Sequence, residues 1–153
     1  MKLYLIQHAR AKTEEEDPER GLTEEGISEA QMCFAFFSRQ KPKPQVIWHS
    51  GKKRALQTAE ILKDRLGYQG PVSEHPSLSP NDDVKLIAKE LERGERDTAV
   101  VGHMPHLDKL ASFLLTGDEN GGVISFRNSG VVCLERQEFA WRISWMANPE
   151  LAL

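Results

Sequence analysis

Three clusters of polar residues in this chain carry side chains suited to anion chemistry, and each directly follows a short apolar run. They are Gln7-His8-Ala9-Arg10, His49-Ser50-Gly51-Lys52-Lys53-Arg54 and Gly102-His103. Apolar runs of this length, bounded by polar residues, are typical of buried strands. Ligands of open α/β sheets bind outside the carboxyl ends of the strands. We therefore expect the three clusters to meet at one edge of a sheet and to form one site.

Two histidines and an arginine at one site suit either a metal ion or a phosphoryl group. Zinc usually has three protein ligands, and no His-x-His or His-Glu-x-x-His pattern is present to supply them. Arginine matches the oxygens of a phosphate with its planar fork. A neutral imidazole attacks phosphorus, and a second, protonated histidine stabilises charge on the transferring oxygens. The pattern favours phosphoryl chemistry, and a metal-dependent hydrolase using His8, His103 and a nearby carboxylate is the weaker alternative.

The elements that position these clusters alternate between strands and helices. Strand-like runs occupy residues 3–6, 46–48, 72–74, 98–101, 123–126, 131–135 and 141–146. Helical spacing and capping residues predict helices at residues 23–40, 53–66, 84–91 and 105–115. This order predicts an α/β fold, a three-layer α/β/α sandwich around a mainly parallel mixed sheet.

The size and charge of the chain limit its classes of function. The 153 residues suit a single domain over residues 1–153, and the net charge of -3 gives no global field to hold nucleic acid or an anionic membrane. No apolar run reaches the roughly 18 residues of a membrane span, and the short apolar N-terminus is too brief for a signal peptide. We therefore expect a cytoplasmic protein without nucleic-acid or membrane partners, with Cys33 and Cys133 as buried, reduced thiols.

Longer stretches of the chain match a known family. They are residues 3–8, residues 20–26 with Ala30-Gln31, and residues 50–60, 78–80 and 100–105, followed by a last strand and tail at residues 141–151. Together they resemble the histidine phosphatase superfamily, and within it the small phosphohistidine phosphatases of the SixA type. Residues 50–60 and the Leu-Thr-x-x-Gly element at residues 22–26 are the most specific parts. The resemblance implies a phosphoglycerate mutase-like fold.

The resemblance also implies a role for each residue of the site. His8 matches the nucleophile that accepts the phosphoryl group, Arg54 matches the second arginine of the phosphate pocket, and His103 matches the second pocket histidine. These matches imply a phosphatase that forms a phosphohistidine on His8 and needs no metal or organic cofactor. The expected substrates are phosphohistidine on a phosphorylated protein, or another small or exposed phosphomonoester. Inorganic phosphate or sulfate is the expected pocket ligand.

The chain departs from the family at the nucleophile, where Gln7-His8-Ala9 stands in place of Arg-His-Gly. Glutamine is shorter than arginine and neutral, although its amide still donates hydrogen bonds. Alanine in place of glycine is a mild change unless the backbone needs a positive φ. An alternative function follows from Gln7: a catalytically weakened or inactive protein that binds phosphate or a phosphopeptide.

Other residues near the clusters offer compensation for the missing arginine. We predict that Gln7 and Arg10 bind phosphate beside Arg54, with Arg10 reaching back into the pocket from the loop after His8. A role for Arg10 as a solvated surface residue is the alternative. Lys52, Lys53 and His49 are further candidate donors, each weighed against a surface or structural role.

The proton donor for the leaving group is open between Asp82, Asp83 and no acid at all. Both aspartates also suit capping of the following helix. A phosphohistidine needs less acid help, because imidazole leaves more readily than an alkoxide. The short chain has few residues for the lid insertions of phosphoglycerate mutases, which argues against that activity.

Overall fold

A six-stranded mixed sheet with helices on both faces forms the centre of the protein. The structure is a computed structural model, and it describes residues 1–152. The strands are β1 (Lys2–Gln7), β2 (Val46–His49), β3 (Val72–Glu74), β4 (Thr98–Gly102), β5 (Val131–Gln137) and β6 (Ala140–Ala147). The helices are α1 (Glu24–Ser38), α2 (Lys53–Leu66), α3 (Val84–Arg93) and α4 (His106–Thr116), with a 3-10 helix (Pro149–Ala152) after β6.

The strand order β3-β2-β4-β1-β5-β6 brings the three polar clusters together. Strands β3, β2, β4 and β1 pair in parallel, whereas β5 is antiparallel to both of its neighbours. Gln7 at the end of β1 is in register with Gly102, and His49 at the end of β2 is in register with Val101. The carboxyl ends of β1, β2 and β4 therefore lie side by side. The predicted α/β/α sandwich around a mainly parallel mixed sheet is confirmed.

The two faces of the sheet bury two separate apolar cores. Leu3 and Leu5 of β1 pack with α3 and α4, whereas Tyr4 and Ile6 pack with α1 and α2. This division follows from the two-residue period of a strand, which sends successive side chains to opposite faces. Burial of each such side chain stabilises the fold by about 2 kcal/mol, so the central strand is held firmly beneath the site.

The helix ends match the capping residues in the sequence. Thr23 accepts a hydrogen bond from the Gly26 N–H at the start of α1, and Asp83 accepts one from the Lys85 N–H at the start of α3. Gly67 takes the left-handed conformation, with a φ of 64°, and ends α2. Helix α1 ends at Ser38, two residues before the predicted end.

The predicted strand at residues 123–126 is wrong. This segment forms no ladder with another strand in the described chain, although Ile124 and Phe126 are buried in the core beside α3 and α4. Its alternation of buried and exposed residues reflects an extended segment lying on that core rather than strand pairing. Among residues 1–152, no helix has the length and apolar character needed to cross a membrane.

Candidate active site

His8 lies at the point where β1 leaves the sheet. Its N–H still donates to the Gly102 carbonyl of β4, at 3.0 Å, so the backbone entering the site is fixed by the ladder. The imidazole Nδ1 lies 2.6 Å from the Ala9 carbonyl oxygen. A carbonyl can only accept, so Nδ1 carries the proton and donates. This tautomer leaves the lone pair of Nε2 free for attack on an electrophile.

The surroundings of His8 keep its ring neutral. The pKa of His8 is lowered from 6.5 to about 4, mainly by burial. The bond to the Ala9 carbonyl opposes the shift, and the Arg54 and Arg20 guanidinium groups add to it. Near pH 7 the imidazole is therefore unprotonated at Nε2. This is the form that a nucleophilic histidine needs.

His103 follows β4 and faces His8 across a short gap. The centroids of the two rings lie 5.0 Å apart, and His103 is buried. Its Nε2 is 2.6 Å from Ser50 Oγ, whereas its buried Nδ1 has no hydrogen-bond partner among residues 1–152. Burial lowers the pKa of His103 to about 3, with further lowering by His8 and Arg54. The ring is neutral near pH 7, so its protonation beside a phosphate depends on the negative charge of that phosphate.

Arg54 brings an unpaired cation to the same place. It lies in the first turn of α2, and its Nε is buried without a hydrogen-bond partner in the described part of the chain. Burial lowers the pKa of Arg54, and Arg20 lowers it further. A partly buried guanidinium whose Nε lacks a partner, beside a second cation, is unfavourable unless an anion binds it. The arrangement is therefore suited to a phosphate.

Arg20, at the start of the matched segment 20–26, adds a second positive charge near this pocket, and its position in the sequence alone does not indicate this role. It has a left-handed backbone, with a φ of 52°, and its Nε donates to the Lys12 carbonyl at 3.0 Å. Its charge lowers the pKa values of both His8 and Arg54, which puts it within electrostatic range of both side chains. The turn that brings it there depends on contacts distant in sequence.

Helix α2 holds the loops of the site as well as Arg54. Gln57 accepts the Leu22 N–H at 2.8 Å and so fixes the loop that carries Arg20. Thr58 accepts the Ala9 N–H at 2.9 Å and donates to the Arg54 carbonyl at 2.7 Å. The Arg-Ala-Leu-Gln-Thr sequence of α2 thus places one cation and two loop anchors on consecutive turns of one helix.

The backbone around the altered motif is regular. Gln7 is half-buried; its carbonyl accepts the Ser129 N–H at 3.0 Å, and its side-chain amide makes no hydrogen bond within residues 1–152. Ala9 is fully buried, and it is not one of the residues with a positive φ. Alanine in place of glycine is therefore compatible with the local backbone.

Two predicted phosphate ligands or donors lie elsewhere. Arg10 is turned toward α1, where its Nε is 2.8 Å from a Glu29 carboxylate oxygen and more than half of its side chain is exposed, so the structure does not bring Arg10 into the pocket. His49 is buried, and its Nδ1 accepts the Gly51 N–H at 3.0 Å, which is a structural role.

The lysines after Ser50 divide between the pocket and its rim. Lys53 pairs with Asp17 and Glu19 in the loop before Arg20. Lys52 lies close enough to contribute to the lowered pKa of His103. Lys52 is thus the lysine of this pair whose charge reaches His103.

Both candidate proton donors are engaged with backbone groups. Asp83 caps α3, and Asp82 accepts the Ser79 N–H at 2.9 Å. The capping interpretation holds for Asp83, whereas Asp82 holds the turn before α3 through Ser79. Within residues 1–152, no three His, Cys, Asp or Glu side chains come together in a metal-binding arrangement, so the described geometry does not favour a metal-dependent hydrolase.

The comparison with known families settles the membership of the chain. The model of the histidine phosphatase superfamily, branch 1, matches residues 3–80. The chain belongs to this superfamily. The match includes the segments that carry His8, Arg20 and Arg54.

Individual members of the superfamily are similar to most or all of the chain. The phosphohistidine phosphatase SixA of Escherichia coli K12 is 27% identical over 123 residues, which cover 77% of this chain and 76% of that protein. The solved structure of the protein histidine phosphatase SixA complexed with tungstate has a TM-score of 0.89 at 23% identity, with 100% of both chains covered. The alpha-ribazole phosphatase of Shigella flexneri has a TM-score of 0.79 at 15% identity, with 97% of each chain covered. These structural matches show that the fold extends over the whole chain.

Proposed function

We propose that the protein is a phosphatase that transfers a phosphoryl group from its substrate to His8 Nε2 and then to water. The observation that carries the proposal is the neutral His8 ring, held with Nε2 unprotonated near Arg54, whose buried Nε has no hydrogen-bond partner among residues 1–152. A nucleophile and an anion-binding cation are thus adjacent. Such a pair is suited to phosphoryl transfer.

The steps follow from the geometry. Arg54 and Arg20 bind the phosphoryl oxygens, with Gln7 as a further neutral donor, while Nε2 attacks phosphorus and the leaving group departs with the electrons of its bond. The new Nε2–P bond makes the ring cationic, and the Ala9 carbonyl stabilises it through Nδ1–H. Water then attacks phosphorus, releases phosphate and restores the neutral ring. His103 donates to the transferring oxygens once the phosphate raises its proton affinity.

The proposed substrate is phosphohistidine on a partner protein, with another small or exposed phosphomonoester as the second class. The similarity to the Escherichia coli phosphohistidine phosphatase supports this choice. The engagement of Asp82 with the Ser79 N–H and of Asp83 with the start of α3 supports it too, because an imidazole leaving group needs less acid help than an alkoxide. No step of this scheme requires a metal or organic cofactor.

The proposal includes inorganic phosphate or sulfate as a pocket ligand and a cytoplasmic location. The two free, buried cysteines, Cys33 and Cys133, support a reducing compartment. The net charge of -3 supports a partner other than nucleic acid or an anionic membrane.

The test measures phosphate release from a phosphohistidine protein and from p-nitrophenyl phosphate. Wild type should show turnover and an acid-labile phosphoenzyme, and His8→Ala should show neither. The matched control is His75→Ala, which removes a histidine that bonds Glu90 outside the pocket and should keep wild-type turnover. Activity that survives in His8→Ala would refute His8 as the nucleophile.

The same experiment distinguishes an enzyme from a protein that only binds phosphate. Gln7→Arg restores the charged contact that the superfamily motif supplies. If wild type shows no turnover and no phosphoenzyme while Gln7→Arg gains both, the protein is a phosphate or phosphopeptide binder weakened by Gln7. Activity that persists in EDTA removes the metal-dependent alternative.

A further inference from the structure

The His8-Ala9 dipeptide keeps all its backbone hydrogen bonds although it lies beyond the sheet. Strand β1 ends at Gln7, so the groups after it lose regular ladder partners. The His8 N–H still donates to Gly102 of β4, and the Ala9 carbonyl accepts from His8 Nδ1. The two remaining groups, the His8 carbonyl and the Ala9 N–H, are both satisfied by side chains.

These two groups belong to one peptide plane, and two distant residues hold it from either end. Asn128 Nδ2 donates to the His8 carbonyl at 2.8 Å, across 120 positions of sequence. Thr58 Oγ1 accepts the Ala9 N–H at 2.9 Å. One anchor comes from α2 and the other from the corner before β5. The plane cannot rotate without breaking at least one of the two bonds.

Both anchors are themselves fixed. Thr58 is fully buried, and its hydroxyl hydrogen goes to the Arg54 carbonyl, so its oxygen is left to accept from Ala9. Asn128 forms an isolated bridge with Gln7, and the next N–H, that of Ser129, donates to the Gln7 carbonyl. Ser129 is buried with a left-handed φ of 63°, a conformation that persists only where surrounding contacts enforce it.

We infer that Asn128 and Thr58 are positioning residues for the nucleophile. The His8–Ala9 peptide plane joins His8 to Ala9, and fixing this plane limits where the Ala9 carbonyl, one bond further on, can lie. In this arrangement the carbonyl accepts from His8 Nδ1 and leaves Nε2 free. The orientation of the ring is a property of the fold, and its catalytic consequence rests on the proposed function. The isosteric variants Asn128→Asp and Thr58→Val each remove one anchor.

The first readout needs no substrate. The ¹⁵N resonances of the His8 ring report which nitrogen carries the proton, and wild type should show Nδ1–H with an unprotonated Nε2. Asn128→Asp and Thr58→Val should reduce the share of this tautomer. Two controls should keep it: Thr58→Ser, which retains the hydroxyl, and Asn148→Asp, which makes the same charge change where the side chain only accepts from the Glu150 N–H. Circular dichroism checks that each variant is folded.

The second readout is turnover. We expect Asn128→Asp to lower kcat by about tenfold, equivalent to about 1.4 kcal/mol, with KM nearly unchanged, because the reacting atom and not the phosphate pocket is displaced. An unchanged tautomer in both folded anchor variants overturns the inference, whatever the activity. An inactive wild type with a tautomer that shifts in the anchor variants refutes the proposed function alone and leaves the positioning role standing.

Discussion

His8 and His103 should make the fold sensitive to mild acid. The pKa of His8 is lowered from 6.5 to about 4, and that of His103 from 6.5 to about 3. Burial is the main cause of both shifts. The unfolded chain therefore binds more protons than the folded protein between pH 6.5 and about 4. The free energy of unfolding falls as the pH decreases through this window. From about pH 7.5 upward the rings are neutral in both states, and their contribution to the pH dependence disappears.

The size of the effect follows from the same values. At about pH 5 a histidine in the unfolded chain is almost fully protonated, whereas folded His8 is about nine-tenths neutral. A change from about pH 7.5 to about pH 5 therefore costs about 2 kcal/mol for His8, at about 1.36 kcal/mol per pKa unit. Because each ring affects the other, the titration observed at the site belongs to the pair.

Denaturant unfolding of wild type and His8→Asn at both pH values measures the effect. Asparagine does not titrate, so the loss of stability at the lower pH should be smaller in His8→Asn by about 2 kcal/mol. Between about pH 7.5 and about pH 9 the two proteins should show the same pH dependence, which is the internal control. Equal losses at the lower pH would mean that His8 titrates normally, and the neutral-nucleophile argument would fail.

Three further outcomes are expected. In calorimetry, inorganic phosphate or tungstate should raise the melting temperature of wild type but not that of Arg54→Gln, because an anion that binds only the folded pocket stabilises the folded protein. Equal shifts in the two proteins would mean that the anion binds elsewhere. Arg20→Gln should lower kcat/KM by about tenfold or more, whereas the control Arg65→Gln, at the far end of α2, should keep the wild-type value. If Arg20→Gln also keeps the wild-type kcat/KM, Arg20 does not act in the pocket. Gly51→Ala should reduce the free energy of unfolding more than Gly117→Ala in denaturant titrations. Both glycines have a left-handed φ, but a Cβ at Gly51 would meet the Glu74 carboxylate, whereas one at Gly117 meets nothing within 4 Å. Equal losses of unfolding free energy in the two variants would mean that the Glu74 side chain moves aside without cost.

The parts of the fold that the sequence could predict are those governed by local patterns. The central strands are apolar on both faces, and residues such as Thr23, Gly67 and Asp83 mark helix ends by their own backbone chemistry. The prediction of a strand at residues 123–126 was wrong, because the alternate burial of Ile124 and Phe126 arises from packing on a core and needs no partner strand.

The site was predictable where a residue follows a strand, and not where the loop path decides its position. His8, Arg54 and His103 meet because parallel strands end at one edge of the sheet. Arg10 is near His8 in sequence, but an isolated bridge between Ala11 and Leu22 redirects the chain, and Arg10 pairs with Glu29. Arg20 reaches the pocket only because a left-handed backbone and contacts across the loop bring it back.

Under the proposed function, Gln7 in place of the arginine that the family resemblance implies changes one property of the pocket and leaves another intact. Arg54 and Arg20 already lower the pKa of His8, beyond the larger effect of burial, so the ring is neutral near pH 7 without a third cation. What Gln7 removes is a charged contact to the phosphoryl oxygens. Such a contact contributes about 1.5–3 kcal/mol, or roughly 10-fold to 100-fold in rate, which leaves turnover measurable. Gln7→Arg should therefore raise kcat/KM without moving the acidic limb of the pH profile to higher pH. That limb reports the protonation of His8, and an added cation beside His8 favours the neutral ring, as Arg54 and Arg20 do.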